Sequence, residues 1–108
     1  MKVWTWFTNF FTNRGKATRL YRAGMAKARK HDHQGAIADY TCTMQMPGLP
    51  ADLMAMVLFN RALVYVALGN EQQGADDLDA VLAVSGPHSN IRAMARQKRA
   101  RMDSRAAH

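Results

Sequence analysis

The sequence has little of what usually marks a chemistry in a small chain. One cysteine in 108 residues cannot close an internal disulfide, which excludes a disulfide-stapled secreted scaffold. No stretch sustains a polar-apolar alternation, so strands are not predicted. There is no glycine-rich loop to cradle a phosphate and no Ser-His-Asp pattern, so neither a nucleotide site nor a hydrolytic one is expected. His31-Asp32-His33 falls short of the roughly four suitably spaced ligands of a zinc site. Cys42 reads as a small packing residue, because no histidine is placed to activate it. The expectation is a chain without catalysis, metal or cofactor.

Long hydrophobic runs are missing too. Residues 3–11 follow Lys2 as a short apolar segment, but Thr5, Thr8 and Asn9 interrupt it and no small-residue cleavage site follows. It is too short to span a bilayer. Residues 53–69 contain Asn60 and Arg61. An arginine at the centre of a membrane helix costs about 2.5–3.5 kcal/mol. A soluble, cytoplasmic chain is expected.

Acidic residues are scarce and unevenly placed. Residues 1–31 hold eight bases and no acid, residues 32–90 seven acids and one base, and residues 91–108 six bases and one acid. The net charge of +7 is therefore two basic ends around an acidic middle. Complementary electrostatics within one fold, with solvated ends, takes precedence over an acidic partner, a nucleic acid or an anionic membrane surface. The apolar share, 48%, suffices for one modest core, so residues 1–108 are read as a single domain.

Self-similarity organises that domain. Residues 20–48 align without a gap on residues 58–86, at a spacing of 38. Leu20 falls on Leu58, Gly24 on Ala62, Asp32 on Asn70, Ala36 on Gly74, Asp39 on Asp77 and Tyr40 on Leu78. A shorter third copy places Leu53, Ala55, Met56, Arg61 and Ala62 on Ile91, Ala93, Met94, Arg99 and Ala100. Each unit reads as a helical hairpin. Leu20, Ala23, Gly24, Lys27 and Ala28 form one helical stripe, and Asp32 can cap the helix bearing Ala36, Ile37, Tyr40 and Met44. Met46-Pro47-Gly48-Leu49-Pro50 breaks that helix. The next helix, about residues 51–68, is apolar nearly all round and must be covered on both sides. Gly69-Asn70 ends it, and Ser85-Gly86-Pro87 ends the helix of Leu78, Val81 and Leu82. Asp76, Asp77 and Asp79 read as a solvated acidic face.

Small residues pair at both hairpin crossings, Gly24 with Ala36 and Ala62 with Gly74, where two helices approach closely. With these pairs, Leu-Tyr-Arg-Ala-Gly-Met-Ala at 20–26 and Phe-Asn-Arg-Ala-Leu-Val-Tyr-Val-Ala-Leu-Gly-Asn at 59–70 resemble the tetratricopeptide repeat. The resemblance covers residues 17–102. The spacing of 38 exceeds the family's usual length of about 34. The extra residues fit the Pro/Gly connections at 47–50 and 86–88.

The resemblance implies an all-α fold, a short right-handed α-solenoid. Its parts are an aromatic N-terminal helix over 3–12, hairpins over 17–48 and 51–86, and a capping helix over 89–102. About three stacked hairpins are usually needed for stability, so the ends are expected to cap the fold or associate, as in a homo-oligomer. The resemblance also implies a non-catalytic adaptor that holds a peptide or protein partner in a concave groove. The matching positions are Tyr21, Met25 and Ala28, then Phe59, Asn60, Leu63 and Val66, then Met94 and Lys98. Asn60 and Lys98 match two positions of a carboxylate clamp found in part of the family. Tyr21, Met25 and Met94 replace the others, which argues against binding a partner's C-terminal carboxylate. An apolar, base-rimmed groove suits an amphipathic or acidic-apolar segment, either a partner's or this chain's own residues 3–11. Val3, Phe7, Phe10 and Phe11 share helical spacing, flanked by Trp4 and Trp6, and are read first as a cap on the first hairpin. A membrane-surface anchor is the main rival, with Arg14, Lys16 and Arg19 behind the aromatics. Nucleic acid ranks second as a partner class, because the acidic middle would repel it.

Overall fold

In the computed structural model every regular element among the described residues is an α-helix, which establishes the all-α class. The described residues are 3–84, 86 and 89–107, with side chains described from Arg14 onward. The helices are α1 (Val3–Arg29), α2 (His33–Met44), α3 (Ala51–Ala67), α4 (Glu71–Ala83) and α5 (Ser89–Ala106). The chain divides into two units, Met1–Pro50 and Ala51–His108, and the break falls at the connection predicted between the hairpins. The first unit holds eight bases and two acids, the second seven bases and six acids.

In the first unit, α1 packs on α2. The sequence pattern sets an aromatic helix over 3–12 apart from the hairpin that opens near residue 17, whereas α1 runs through both ranges unbroken. No proline intervenes, and the lone Gly15 costs about 1 kcal/mol in a helix, too little to stop one. The side chains of Trp4, Trp6, Phe7, Phe10 and Phe11 lie outside the described residues. At the other end, His31 N–H donates to Ala28 O at 3.0 Å and Asp32 N–H to Lys27 O at 2.9 Å. These two bonds form a Schellman turn, which needs a left-handed residue at its corner. His31 supplies it, with φ of 62°. Asp32 then caps α2, its carboxylate accepting from Gly35 N–H at 3.0 Å, as its position predicts. The close approach at Gly24 comes from Tyr40 rather than from Ala36. A Cβ there would lie 2.7 Å from Tyr40 Cε1.

The second unit repeats the turn. Gly69 N–H donates to Val66 O at 3.0 Å and Asn70 N–H to Tyr65 O at 2.9 Å. Both bonds stand 38 residues after their counterparts, and Gly69 has φ of 86°. Asn70 occupies the N-cap position of α4, but its side chain makes no capping bond. The crossing of α3 and α4 closes at Gly74, where a Cβ would meet Val66 Cγ2 at 2.7 Å and Ala62 O at 3.2 Å. This is the predicted Ala62–Gly74 pair. α5 packs on α4 and touches α3. It runs four residues past the predicted end at 102. Of the Ser85-Gly86-Pro87 stop only Gly86 is described, with φ of 114°.

The two turns differ in who pays the left-handed strain. An L-residue there costs roughly 1–2 kcal/mol, partly offset by the greater unfolded-state freedom of glycine. His31→Gly is expected to raise stability by about 0.5–1 kcal/mol, and Gly69→Ala to lower it by about the same amount. Gly74→Ala, normally favourable in a helix, is expected to cost about 1–2 kcal/mol because Val66 Cγ2, and behind it the Ala62 carbonyl, crowd the new methyl. Urea midpoints of the three variants check the signs.

Candidate partner-binding site

Nine described positions were implied as partner-facing, and the structure divides them by exposure, with Ala28 half-buried. Tyr21 and Phe59 are buried, at 5% and 7% exposure. The Tyr21 ring lies against Tyr40, with centroids 5.9 Å apart and planes tilted by 45°. Val66 is half-buried and leans into the crossing at Gly74. Met25 and Lys98 are half-buried. Asn60 donates through Nδ2 to Met56 O at 2.9 Å, so that amide is engaged with the helix that carries it. Leu63 and Met94 are open, at 37% and 47% exposure, and Met56 joins them at 36%. Met56, Asn60 and Leu63 fall on one stripe of α3, at i, i+4 and i+7. Met56 was legible from that spacing, yet the groove positions implied by the resemblance omit it.

Ion pairs explain much of the charge pattern. In the first unit Lys27 Nζ lies 2.9 Å from Asp39, and this bond pushes the lysine above its ordinary value. In the second, Arg61 grips Asp77 with two bonds, Nε to Oδ2 and Nη2 to Oδ1, each 2.8 Å. The arginine is raised by that hydrogen bond and also stacks over Tyr65, 5.6 Å from the ring centre. Asp39 and Asp77 are the equivalent positions of the repeat.

Asp77 therefore corrects the expectation of a solvated acidic face. It is 6% exposed and held at the α3–α4 crossing. Asp79 pairs with Arg99 of α5 at 3.1 Å, and Arg99 also pairs with Asp103. Arg105 lies 3.7 Å from Glu71. Asp76 accepts from Gln72 Nε2 at 2.9 Å. Arg92 donates to Val84 O, covering a carbonyl at the C-terminus of α4. The basic C-terminal helix thus meets the acidic helix of its own unit, as the precedence given to internal complementarity expects. Cys42 is exposed, which corrects its assignment to packing. Thr43 is fully buried instead, its hydroxyl donating to Asp39 O at 2.7 Å.

Among the described residues, no helix is long and apolar enough to cross a membrane. None of their His, Cys, Asp and Glu side chains gather in threes that could hold a metal. No protein-family model, no curated protein and no solved structure matches the chain.

Two outcomes follow from the buried polar groups. Asp77→Ala removes both bonds of the Arg61 fork and is expected to cost about 2–3 kcal/mol, against less than about 1 kcal/mol for Asp79→Ala. Chemical denaturation separates these values. Burial, with Tyr21 close by, pushes the Tyr40 phenol from 10 up to about 12. Burial raises Tyr21 as well. A raised phenol favours the fold fully below the unfolded value near pH 10, and that contribution is lost as pH climbs through about 12. Thermal melts of the wild type are expected to fall across this window, and those of Tyr40→Phe to fall less.

Proposed function

We propose that the chain is a non-catalytic protein-interaction module, a short right-handed α-solenoid of tetratricopeptide-like hairpins. The hairpin kinship is supported by two features recurring at the same spacing of 38, the Schellman turns at His31 and Gly69 and the paired carboxylates Asp39 and Asp77. One observation carries the binding role. Among the described residues, the large apolar side chains left exposed are Met56, Leu63 and Met94, all in the second unit. Two of these three are positions that the resemblance assigns to the partner.

Met56 and Leu63 share a stripe of α3, and Met94 stands on α5 with cations spaced along the same helix. Methionine adapts its shape to a partner, and each such side chain gains about 1.5–3 kcal/mol on full burial. Met94, Lys98 and Arg101 follow one another at i, i+4 and i+7 on α5, so an apolar segment that also carries acids fits best. Nucleic acid fits less well, because Arg99 and Arg105 of that helix already face Asp79 and Glu71. Cytoplasmic residence is part of the proposal.

Selection from a displayed library of random peptides is expected to return acidic-apolar sequences. The chosen peptides should bind Leu63→Glu/Met94→Glu at least about tenfold more weakly, a loss of about 1.4 kcal/mol or more. Both substitutions are at exposed positions, so the melting temperature should hold. Equal affinity for wild type and variant would refute the assignment of this face.

A further inference from the structure

The charge of the first unit is not answered within it. Its two acids are both engaged, Asp32 in capping α2 and Asp39 in pairing with Lys27. Arg14, Lys16, Arg19, Arg22, Arg29 and Lys30 are all exposed. Four of them, Arg14 to Arg22, fall within nine consecutive residues of α1.

The lengths of the two helices add a second observation. α1 has 27 residues and α2 has 12. At 1.5 Å per residue these span about 40 Å and about 18 Å. α2 begins immediately after the turn and runs back along α1, setting Asp39 beside Lys27 and Tyr40 beside Tyr21. The chain that follows α2 brings Met46 to a cleft with Lys16, Arg19, Leu20 and Ala23. The part of α1 before Arg14 thus runs past the end of α2. On that part the sequence places Trp4, Trp6, Phe7, Phe10 and Phe11. The cleft repeats the same chemistry, with Leu20, Ala23 and Met46 beside two cations.

We propose that α1 is a surface anchor for an anionic lipid bilayer. Its aromatic N-terminal segment lies among the acyl boundary atoms, and Arg14, Lys16, Arg19 and Arg22 meet the lipid phosphates and carboxylates. Aromatic rings bury well at the interface, and cations on the same helix add attraction to anionic headgroups. The helix lies along the surface, since its apolar run is too short to cross. This anchor is separate from the face on α3 and α5, and either can stand without the other.

Trp4 and Trp6 are the only tryptophans in the chain, so intrinsic fluorescence reports on this segment alone. The full chain is titrated with phosphatidylserine-containing vesicles and with pure phosphatidylcholine vesicles. A blue shift and co-sedimentation with the anionic vesicles, at least about tenfold stronger than with the neutral ones and weakened by salt, is the expected result. Arg14→Glu/Lys16→Glu/Arg19→Glu, all at exposed positions, should abolish the anionic preference while far-UV circular dichroism stays unchanged. Phe7→Glu/Phe10→Glu should abolish the blue shift. Absence of vesicle binding overturns the proposal. So does a blue shift that grows with protein concentration alone, which would mark a second copy as the occupant. Displacement from the vesicles by single-stranded RNA at comparable charge concentration also overturns it.

Discussion

Both hairpins depend on a carboxylate that the second helix carries into the crossing with the first. Asp39 reaches Lys27 and Asp77 reaches Arg61. An uncompensated charge at so covered a site would be costly, so each pair holds its helices in one register as well as in contact. The two pairs are not equal. Arg61 closes a planar two-bond fork and stacks on Tyr65, whereas Lys27 offers a single point charge with its side chain 43% exposed. The first hairpin compensates with its tyrosines. The Tyr40 ring fills the space that Gly24 leaves open and meets Tyr21 beside it. In the second, Leu78 stands where Tyr40 does, and the close contact moves to Gly74 under Val66.

The same acids decide how charge is spent. α4 contributes Asp79 and Glu71 to partners on α5, and Asp77 to α3, so Arg61, Arg99 and Arg105 are answered within the second unit. The first unit has two acids for eight bases and uses both locally. Its excess is carried on α1 and the turn that follows. A chain-wide charge of +7 thus describes neither unit, since the first is strongly basic and the second close to neutral.

Much of the scaffold was legible in the sequence because local rules govern it. The helical class, the Asp32 cap, the Gly69-Asn70 stop and the break near Pro50 follow from turn chemistry and helical spacing. What escaped depends on partners distant in sequence. Asp77 sits among three near-identical acids, and nothing local says which of them turns inward toward Arg61. The repeat does say it, since Asp77 is the equivalent of Asp39. Asn70 has the right residue type for a cap and leaves it unused, although Asp32 caps α2 from the same place after the same turn. The run from residue 3 to residue 29 was legible only in pieces, since a change from aromatic to basic composition imitates a boundary. Backbone hydrogen bonding is indifferent to that change, and no proline marks a stop.

The candidate site was half legible for a related reason. A resemblance carries over which helix faces a groove, but exposure depends on each side chain's own neighbours. Tyr21 and Phe59 are drawn into the interiors of their own units, whereas Leu63 and Met94 stay open. α5 shows how one helix serves two ends. Ala95 and Met102 are buried, Arg99 and Arg105 turn to the acids of α4, and Met94 stays open on the stripe it shares with Lys98 and Arg101. Internal ion pairs fix the helix on its acidic neighbour through other positions than Met94 and Arg101, which stay exposed. The packing of α5 leaves Met94 exposed without giving it a structural contact, and the proposed partner face rests on that exposure.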